Sequence, residues 1–379
     1  MKYSFFLIIA ILFIYTAAVA QRNDVDEQKE YIAQSSYKVK NYPNKFKSNK
    51  PKNIILMIGD GMGVTQVYAG FTANKGHLFL ENMKTIGFSK TYSASGYITD
   101  SAAGGTALAT GVKTYNGAIG IDAEGNPVKT ILEYAEEKGK STGLVATAAV
   151  NHATPAAFIA HRKDRGMYED IAADFLKTDI DVFIGGGYKY FTERKDGRDL
   201  VEELKQKGYN VEQEMKNVAG VKSEKLAGLV ASEHLPHAGE RNGMLPLATK
   251  TAIDILSRNK NGFFLMVEGS QIDWGGHQNN VSYIAEEMLD FDRAIGKALD
   301  FAAKDGKTLI IVTADHETGG FSIFGGDINA GVVTGGFNTG GHTGVMVPVF
   351  AYGPGAREFM GIMENTDVAK QLISFINKK

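Results

Sequence analysis

A chain of 379 residues is long enough for one large α/β domain or two smaller ones, so size by itself excludes little. The formal charge is −2, with acidic and basic residues mixed along the chain, so no basic face marks nucleic acid as a recognised partner. Cysteine is absent, which excludes disulfides, a lipid-modified cysteine and any thiolate metal site; a bound metal would have to be held by oxygen and imidazole.

In chain order, Lys2 is followed by an apolar run from Phe5 to Tyr15 and by Ala17-Ala18-Val19-Ala20 before Gln21. This is the pattern of a cleavable secretory signal over residues 1–20, with cleavage after Ala20 and a secreted or periplasmic destination. The run is short for a membrane span and no later segment resembles one, so no stable span is expected after cleavage. Residues 21–50 are polar and lack a sustained apolar period, and read as an exposed N-terminal segment. A folded domain is expected over 51–379. Short β-branched runs predict strands at Asn53–Ile58, Thr142–Ala146, Asp181–Ile184, Phe263–Val267, Leu309–Thr313 and Val347–Tyr352. Amphipathic stretches between them, such as Lys129–Lys138 and Tyr283–Ala303, predict helices. This alternation implies an α/β fold with a largely parallel central sheet and helices on both faces. A charged section, about residues 192–260, reads as peripheral helices, and the Gly-, Asn- and Thr-rich stretch 318–342 as a long loop.

Three apolar strands run into acids: Asp60, Glu268, and Asp315 with His316 beside it. Ligands of open parallel sheets bind outside the carboxyl ends of the strands, so these groups should converge on one edge. One such acid would pass as a helix N-cap. Three crowded carboxylates repel and raise one another's pKa values, which a divalent cation relieves. Asp273 and His277, four residues apart, share a face if 272–278 is a helical turn. With His316 and His342 the donor set suits zinc, while Asp60, Glu268 and a hydroxyl suit magnesium.

Thr99-Asp100-Ser101-Ala102-Ala103-Gly104-Gly105-Thr106 places a serine at the head of very small residues that open a helix, where free N–H groups and the helix dipole favour an anion. A plain N-cap is the bland alternative. No histidine-based triad is evident beside Ser101, which leaves zinc as the activator of its hydroxyl.

Asp60-Gly-Met-Gly, Thr99-Asp-Ser-Ala-Ala, Gly111-Val-Lys-Thr-Tyr-Asn-Gly, His152-Ala-Thr-Pro-Ala, Val267-Glu-Gly-Ser-Gln-Ile-Asp, Thr313-Ala-Asp-His-Glu and Gly341-His-Thr-Gly together resemble the alkaline phosphatase family, in the family order from about Pro51 to the C-terminal helix. The resemblance implies hydrolysis of small-molecule phosphate monoesters, of broad range, through a phosphoserine on Ser101. Arg165 would clamp the non-bridging phosphate oxygens. It further implies that Asp273, His277 and His342 hold one zinc, that Asp60, Asp315 and His316 hold a second, and that Asp60, Thr154 and Glu268 hold a magnesium. A homodimer is implied as well.

Two positions depart from the enterobacterial pattern of the family. His152 stands where that pattern has an aspartate near magnesium, so the third site is expected to take magnesium or, softened by imidazole, zinc or cobalt. Trp274 stands where the pattern has a lysine, and either packs or lines the phosphate pocket. His77 and His237 are expected on the surface, and His161 is given no ligand role. A sulfatase would need a Cys/Ser-x-Pro-Ser-Arg setting that this sequence lacks, and a phosphodiesterase would not place an arginine like Arg165. A non-catalytic phosphate binder would need no serine beside the metal set.

Overall fold

The computed structural model describes residues 29–46 and 48–378; the leader expected at 1–20 lies outside the described residues. The strands in chain order are β1 (Glu30–Ile32), β2 (Asn53–Gly59), β3 (Thr85–Lys90), β4 (Ser141–Ala149), β5 (Val182–Gly186), β6 (Asn210–Glu212), β7 (Leu226–Leu229), β8 (Phe263–Gly269), β9 (Thr308–Thr313), β10 (Glu317–Thr318), β11 (Ser322–Asp327), β12 (Val332–Gly336), β13 (His342–Thr343), β14 (Val347–Tyr352) and β15 (Gly361–Glu364). Ten of them form one sheet in the order β15-β3-β14-β9-β2-β8-β4-β5-β7-β6. The strand pairings make every member but β14 run in one direction. The largely parallel sheet expected from the sequence is therefore present.

The apolar runs are continuous because both faces of the sheet are covered. Ile55 and Met57 of β2, Leu265 and Val267 of β8, and Ile310 and Val312 of β9 enter one core. Their neighbours Ile54, Leu56, Phe264, Met266, Leu309 and Ile311 enter the other. Alternation survives as a choice between two buried sides rather than between core and water. The first core is closed by the helices Met244–Leu256 and Val281–Asp305, the second by Ile131–Glu137 and Asn365–Asn377 among others. Both expected helices are present. Ile131–Glu137 starts in a capping box, in which Thr130 Oγ1 accepts from the Glu133 N–H at 3.2 Å and Glu133 accepts from the Thr130 N–H at 2.7 Å.

All six expected strands form, and β2, β4, β5 and β8 run one to three residues further at their carboxyl ends than the sequence indicated. The section 192–260 is not wholly peripheral helix: it supplies β6 and β7, which extend the central sheet beyond β5. β7 is the four-residue run Leu-Ala-Gly-Leu, too short for periodicity to separate strand from helix. The stretch 318–342 is not a long loop. It folds into β10 and the antiparallel pair β11–β12, and returns through β13. β3 escaped notice because its inward positions are Gly87 and Ser89 while Ile86 and Phe88 face solvent, which inverts the usual pattern. The segment expected as an exposed leader is largely solvent-facing but tied down: β1 pairs with β12, Tyr31 is buried, and the Tyr37 hydroxyl donates to Asp292 at 2.6 Å.

Candidate active site and metal centre

The carboxyl ends of the adjacent strands β9, β2, β8 and β4 carry the chemistry. Asp60 follows β2, Glu268 is the penultimate residue of β8, Asp315 and His316 follow β9, and Thr154 lies in the short helix Ala153–Ala156 after β4. Beyond β8 the helix Ile272–His277 forms as expected and brings His277 Nε2 to 3.3 Å from Asp273 Oδ1. Ser101 heads the helix Ser101–Thr110, every residue of which is buried. Its neighbour Asp100 is the N-cap, accepting from the Ala103 N–H at 2.9 Å. The small residues of this helix are there for close approach: a Cβ at Gly104 would lie 3.0 Å from the Asp315 Cβ and 3.1 Å from its carbonyl oxygen. A larger residue would push Ser101 away from the acids.

Two groups of potential ligands have donor atoms within 4.8 Å of one another: Asp273, His316 and His342, and Asp60, Asp315 and His316. The second group is the set expected for one zinc. For the other zinc, Asp273 and His342 are joined by His277, whose Nε2 lies 3.2 Å from His342 Nε2. The groups abut, with the His316 and His342 rings stacked at a centroid separation of 3.6 Å. Ring orientation is set from behind. Carbonyl oxygens can only accept, so His277 Nδ1 donates to Gly340 O at 2.7 Å and His342 Nδ1 to Thr99 O at 2.8 Å. Thr318 Oγ1 lies 3.2 Å from His316 Nδ1 and donates to Asp273 Oδ1. Each Nε2 lone pair is thereby turned towards the carboxylates, as outer-shell partners turn metal-ligating imidazoles.

The polar accounting inside the site does not close with protein atoms. Asp60 Oδ1, Asp315 Oδ2 and both Glu268 oxygens are buried without a hydrogen-bond partner. Burial, then the charges of Asp315, Asp273 and Glu268, pushes Asp60 well above the usual carboxylate range. Burial lifts Glu268 to about 8 despite the nearby Ser270 and Thr154 hydroxyls, and lifts Asp315 to about 6. Burial would also raise Asp273, but the hydrogen bond from His277 and the charges of His316 and His342 outweigh it and hold this carboxyl low. The same bond raises His277 to about 9, whereas burial lowers His316 and His342 to about 4. Buried acids that lack counter-charges, facing the imidazoles of His316 and His342 held neutral, fit divalent cations: nitrogen and oxygen donors for zinc, and the all-oxygen set Asp60, Thr154 and Glu268 for a harder ion. Asp60 Oδ2 and Thr154 Oγ1 are 3.4 Å apart, consistent with a common ion.

Around the anion side, Ser101 Oγ is 3.2 Å from His316 Nε2. Arg165 Nη1 donates to Asp100 Oδ2 at 3.0 Å, an oxygen that also accepts from the Gly117 N–H, so the guanidinium is held at the head of the serine helix. Arg165 Nη2 is 3.4 Å from His152 Nε2. Burial, then the charges of Arg165 and His234, lowers His152 to about 3. The described contacts of His152 are with Arg165, His234 and Trp274 rather than with Asp60 or Glu268, although it is two residues from Thr154. Trp274 packs edge-on against His234 at 4.9 Å between ring centroids. His77 is exposed and His237 half-buried at the surface, and His161 bonds Gly120 and Glu133 away from the ligand groups.

Sequence reasoning missed three contributors. His234 lies in no motif and offers no local signal. Thr318 is hidden in a stretch that reads as loop. Asp100 was legible, since an aspartate directly before a helix is an N-cap, but its second task of holding Arg165 is a tertiary fact.

Comparison with known proteins identifies the family. The family model for alkaline phosphatase matches residues 51–334 and 329–378. The chain is 38% identical to alkaline phosphatase 3 of Bacillus subtilis over 85% of its length and 88% of that protein. It is 34% identical to the Escherichia coli K12 alkaline phosphatase over 85% of each. The solved alkaline phosphatase of the Antarctic bacterium TAB5 superposes with a TM-score of 0.82 at 43% identity, covering 88% of this chain and all of that one. Two of its variants, in which one histidine is replaced by glutamate or by aspartate, are described with Mg bound in the M3 site. The chain thus belongs to the metal-dependent alkaline phosphatase family and is a phosphomonoester hydrolase.

Proposed function

We propose that the protein hydrolyses a broad range of phosphate monoesters through a covalent phosphoserine on Ser101, with two zinc ions and one magnesium ion as cofactors. The observation that carries this reading is the set of buried, unpartnered carboxylate oxygens on Asp60, Glu268 and Asp315 beside a helix-terminal serine. Asp273, His277 and His342 would hold one zinc, Asp60, Asp315 and His316 the other, and Asp60, Thr154 and Glu268 the magnesium. When bound, the ions supply Lewis acidity that lowers the pKa of attacking hydroxyls and neutralises the leaving oxygen.

The chain's own residues do the rest. Arg165, oriented by Asp100, pairs with two non-bridging phosphate oxygens and aligns the phosphorus with Ser101 Oγ. A P–O bond to serine forms while the bond to the alcohol breaks, and water then cleaves the phosphoserine to give inorganic phosphate. The helix N-terminus at Ser101 adds backbone N–H groups to the equatorial oxygens. Trp274, which packs against His152 and His234, would form one wall of the pocket. None of these groups addresses the alcohol, which supports broad specificity, and an arginine at this place leaves little room for the second ester group of a diester. Acid quenching during turnover of a labelled monoester tests the reading: label on Ser101 is expected, and none on any residue refutes it.

Arg165→Ala is expected to lower kcat/KM for p-nitrophenyl phosphate by about 10²-fold, consistent with loss of a charge-assisted bidentate contact. Phosphate inhibition should weaken in parallel, and unchanged inhibition would remove Arg165 from the substrate contacts.

For the third metal, we infer that His152 corresponds to the histidine replaced in the TAB5 variants. His152→Asp is expected to raise magnesium retained after dialysis to about one ion per chain, because a carboxylate favours the harder ion more than imidazole does. Metal analysis reads this directly, and unchanged magnesium content would separate His152 from the site.

We carry to this chain, as parts of the same reading, export through a leader cleaved after Ala20 and assembly as a homodimer. Among the described residues no helix is long and apolar enough to cross a membrane.

A further inference from the structure

Glu317 is a buried carboxylate that no lysine, arginine or histidine pairs among the described residues. Its charge is instead met by four donors. Gln66 Nε2 donates to Oε1 at 2.7 Å and the Phe321 N–H at 3.1 Å, while the Gly320 N–H donates to Oε2 at 3.2 Å and the Thr343 hydroxyl completes the set. Gln66 Nε2 also donates to Thr318 O at 2.9 Å.

The place of this network in the fold gives it a task. Glu317 and Thr343 face each other in the antiparallel pair β10–β13, with Thr318 opposite His342. His316 immediately precedes Glu317, and His342 immediately precedes Thr343. One carboxylate thus fixes the residue after one candidate metal ligand against the residue after another. A ladder of two residues per strand is too short to hold itself in register, so its side-chain bonds decide whether both imidazoles stay aimed. The same contact accounts for the last glycine of Asp60-Gly-Met-Gly, since a Cβ at Gly63 would lie 2.5 Å from the Glu317 Cγ. That places Glu317 directly on the turn that follows Asp60.

We propose that Glu317 is a positioning residue for the metal ligands, acting through Thr343 and Gln66 to keep His316 and His342 aimed at Asp60, Asp315 and Asp273. The inference rests on the metal-binding reading of these residues given above. Glu317 is in neither candidate ligand group, and its effect is carried by the β10–β13 pair.

The test compares wild-type protein with Thr343→Val, Thr343→Ser and Glu317→Gln. Zinc affinity is measured by titrating stripped protein against a chromophoric chelator, zinc release by transfer to EDTA, and integrity of the metal-free fold by circular dichroism. Each Glu317 oxygen accepts two bonds, so an amide at this position opposes donors with an NH2 whichever way it turns. Because Glu317→Gln disturbs four bonds and can unfold its surroundings, Thr343→Val, which deletes one donor at similar volume, decides the matter. Thr343→Val and Glu317→Gln are expected to bind zinc about tenfold or more weakly and release it faster, while Thr343→Ser stays within about twofold of wild type. Excess zinc should restore most of the kcat of Thr343→Val. Wild-type zinc affinity in folded Thr343→Val overturns this inference alone. A wild-type chain that takes up no zinc overturns the metal reading with it.

Discussion

Ser101→Ala is expected to lower turnover of an aryl phosphate monoester by at least ~10³-fold while leaving zinc content unchanged. The split between activity and metal follows from where the serine sits. Its hydroxyl touches His316 Nε2, but the ligand groups close without it, as Asp60, Asp315 and His316 on one side and Asp273, His277 and His342 on the other. The helix that carries it is buried along its whole length and capped by Asp100, so deleting one oxygen leaves the backbone donors and Arg165 in place. Phosphate should therefore still bind to the variant. Residual hydrolysis would come from direct attack of water on a positioned monoester, without labelled enzyme on acid quench. Wild-type turnover in Ser101→Ala would refute the nucleophile, and loss of zinc together with activity would reassign the serine as part of the metal site.

The parts of this site legible in the sequence were those with a local cause. Asp60, Glu268 and Asp315 could be placed on one edge because each ends an apolar run, and a parallel sheet gathers such ends. Asp273 and His277 could be paired because four residues make one helical turn. What the sequence hid was set by tertiary packing. β3 shows water its apolar side chains and the core its Gly87 and Ser89, so periodicity points the wrong way. The return from His316 to His342 reads as loop because its glycines mask the strands β11 and β12. Nothing local reveals that β1 from the N-terminal segment completes that small sheet. His234 was invisible for the same reason: its partners Trp274 and His152 lie 40 and 82 positions away in a chain of 379 residues.

Removing the metals is the second large perturbation, and its effect should depend on pH in a defined direction. Chelation is expected to reduce activity by at least ~10³-fold, with recovery on adding zinc and magnesium. In the stripped protein Asp60, Glu268 and Asp315 keep folded-state pKa values above those of the unfolded chain, as does His277. Such groups hold protons when folded that they release when unfolded, so the stability they confer is lost as pH rises towards Glu268 at about 8 and His277 at about 9. His316 and His342 at about 4 and His152 at about 3 act oppositely, since they are neutral when folded and protonated when unfolded below about pH 6.5. Their influence ends near that pH. Above it, within this site, only the acids and His277 still act, so the melting temperature of stripped protein should fall by several degrees between pH 6.5 and pH 9; Glu136, pushed up to about 7 by burial outside the site, adds to the fall with or without metal. Zinc-loaded protein should show a clearly smaller fall, because cations replace the protons of the site and proton release accompanies loading at pH 7. Thermal melts with and without metal across this range read the effect, and parallel profiles for the two forms would show that the buried carboxylates are not where the ions bind.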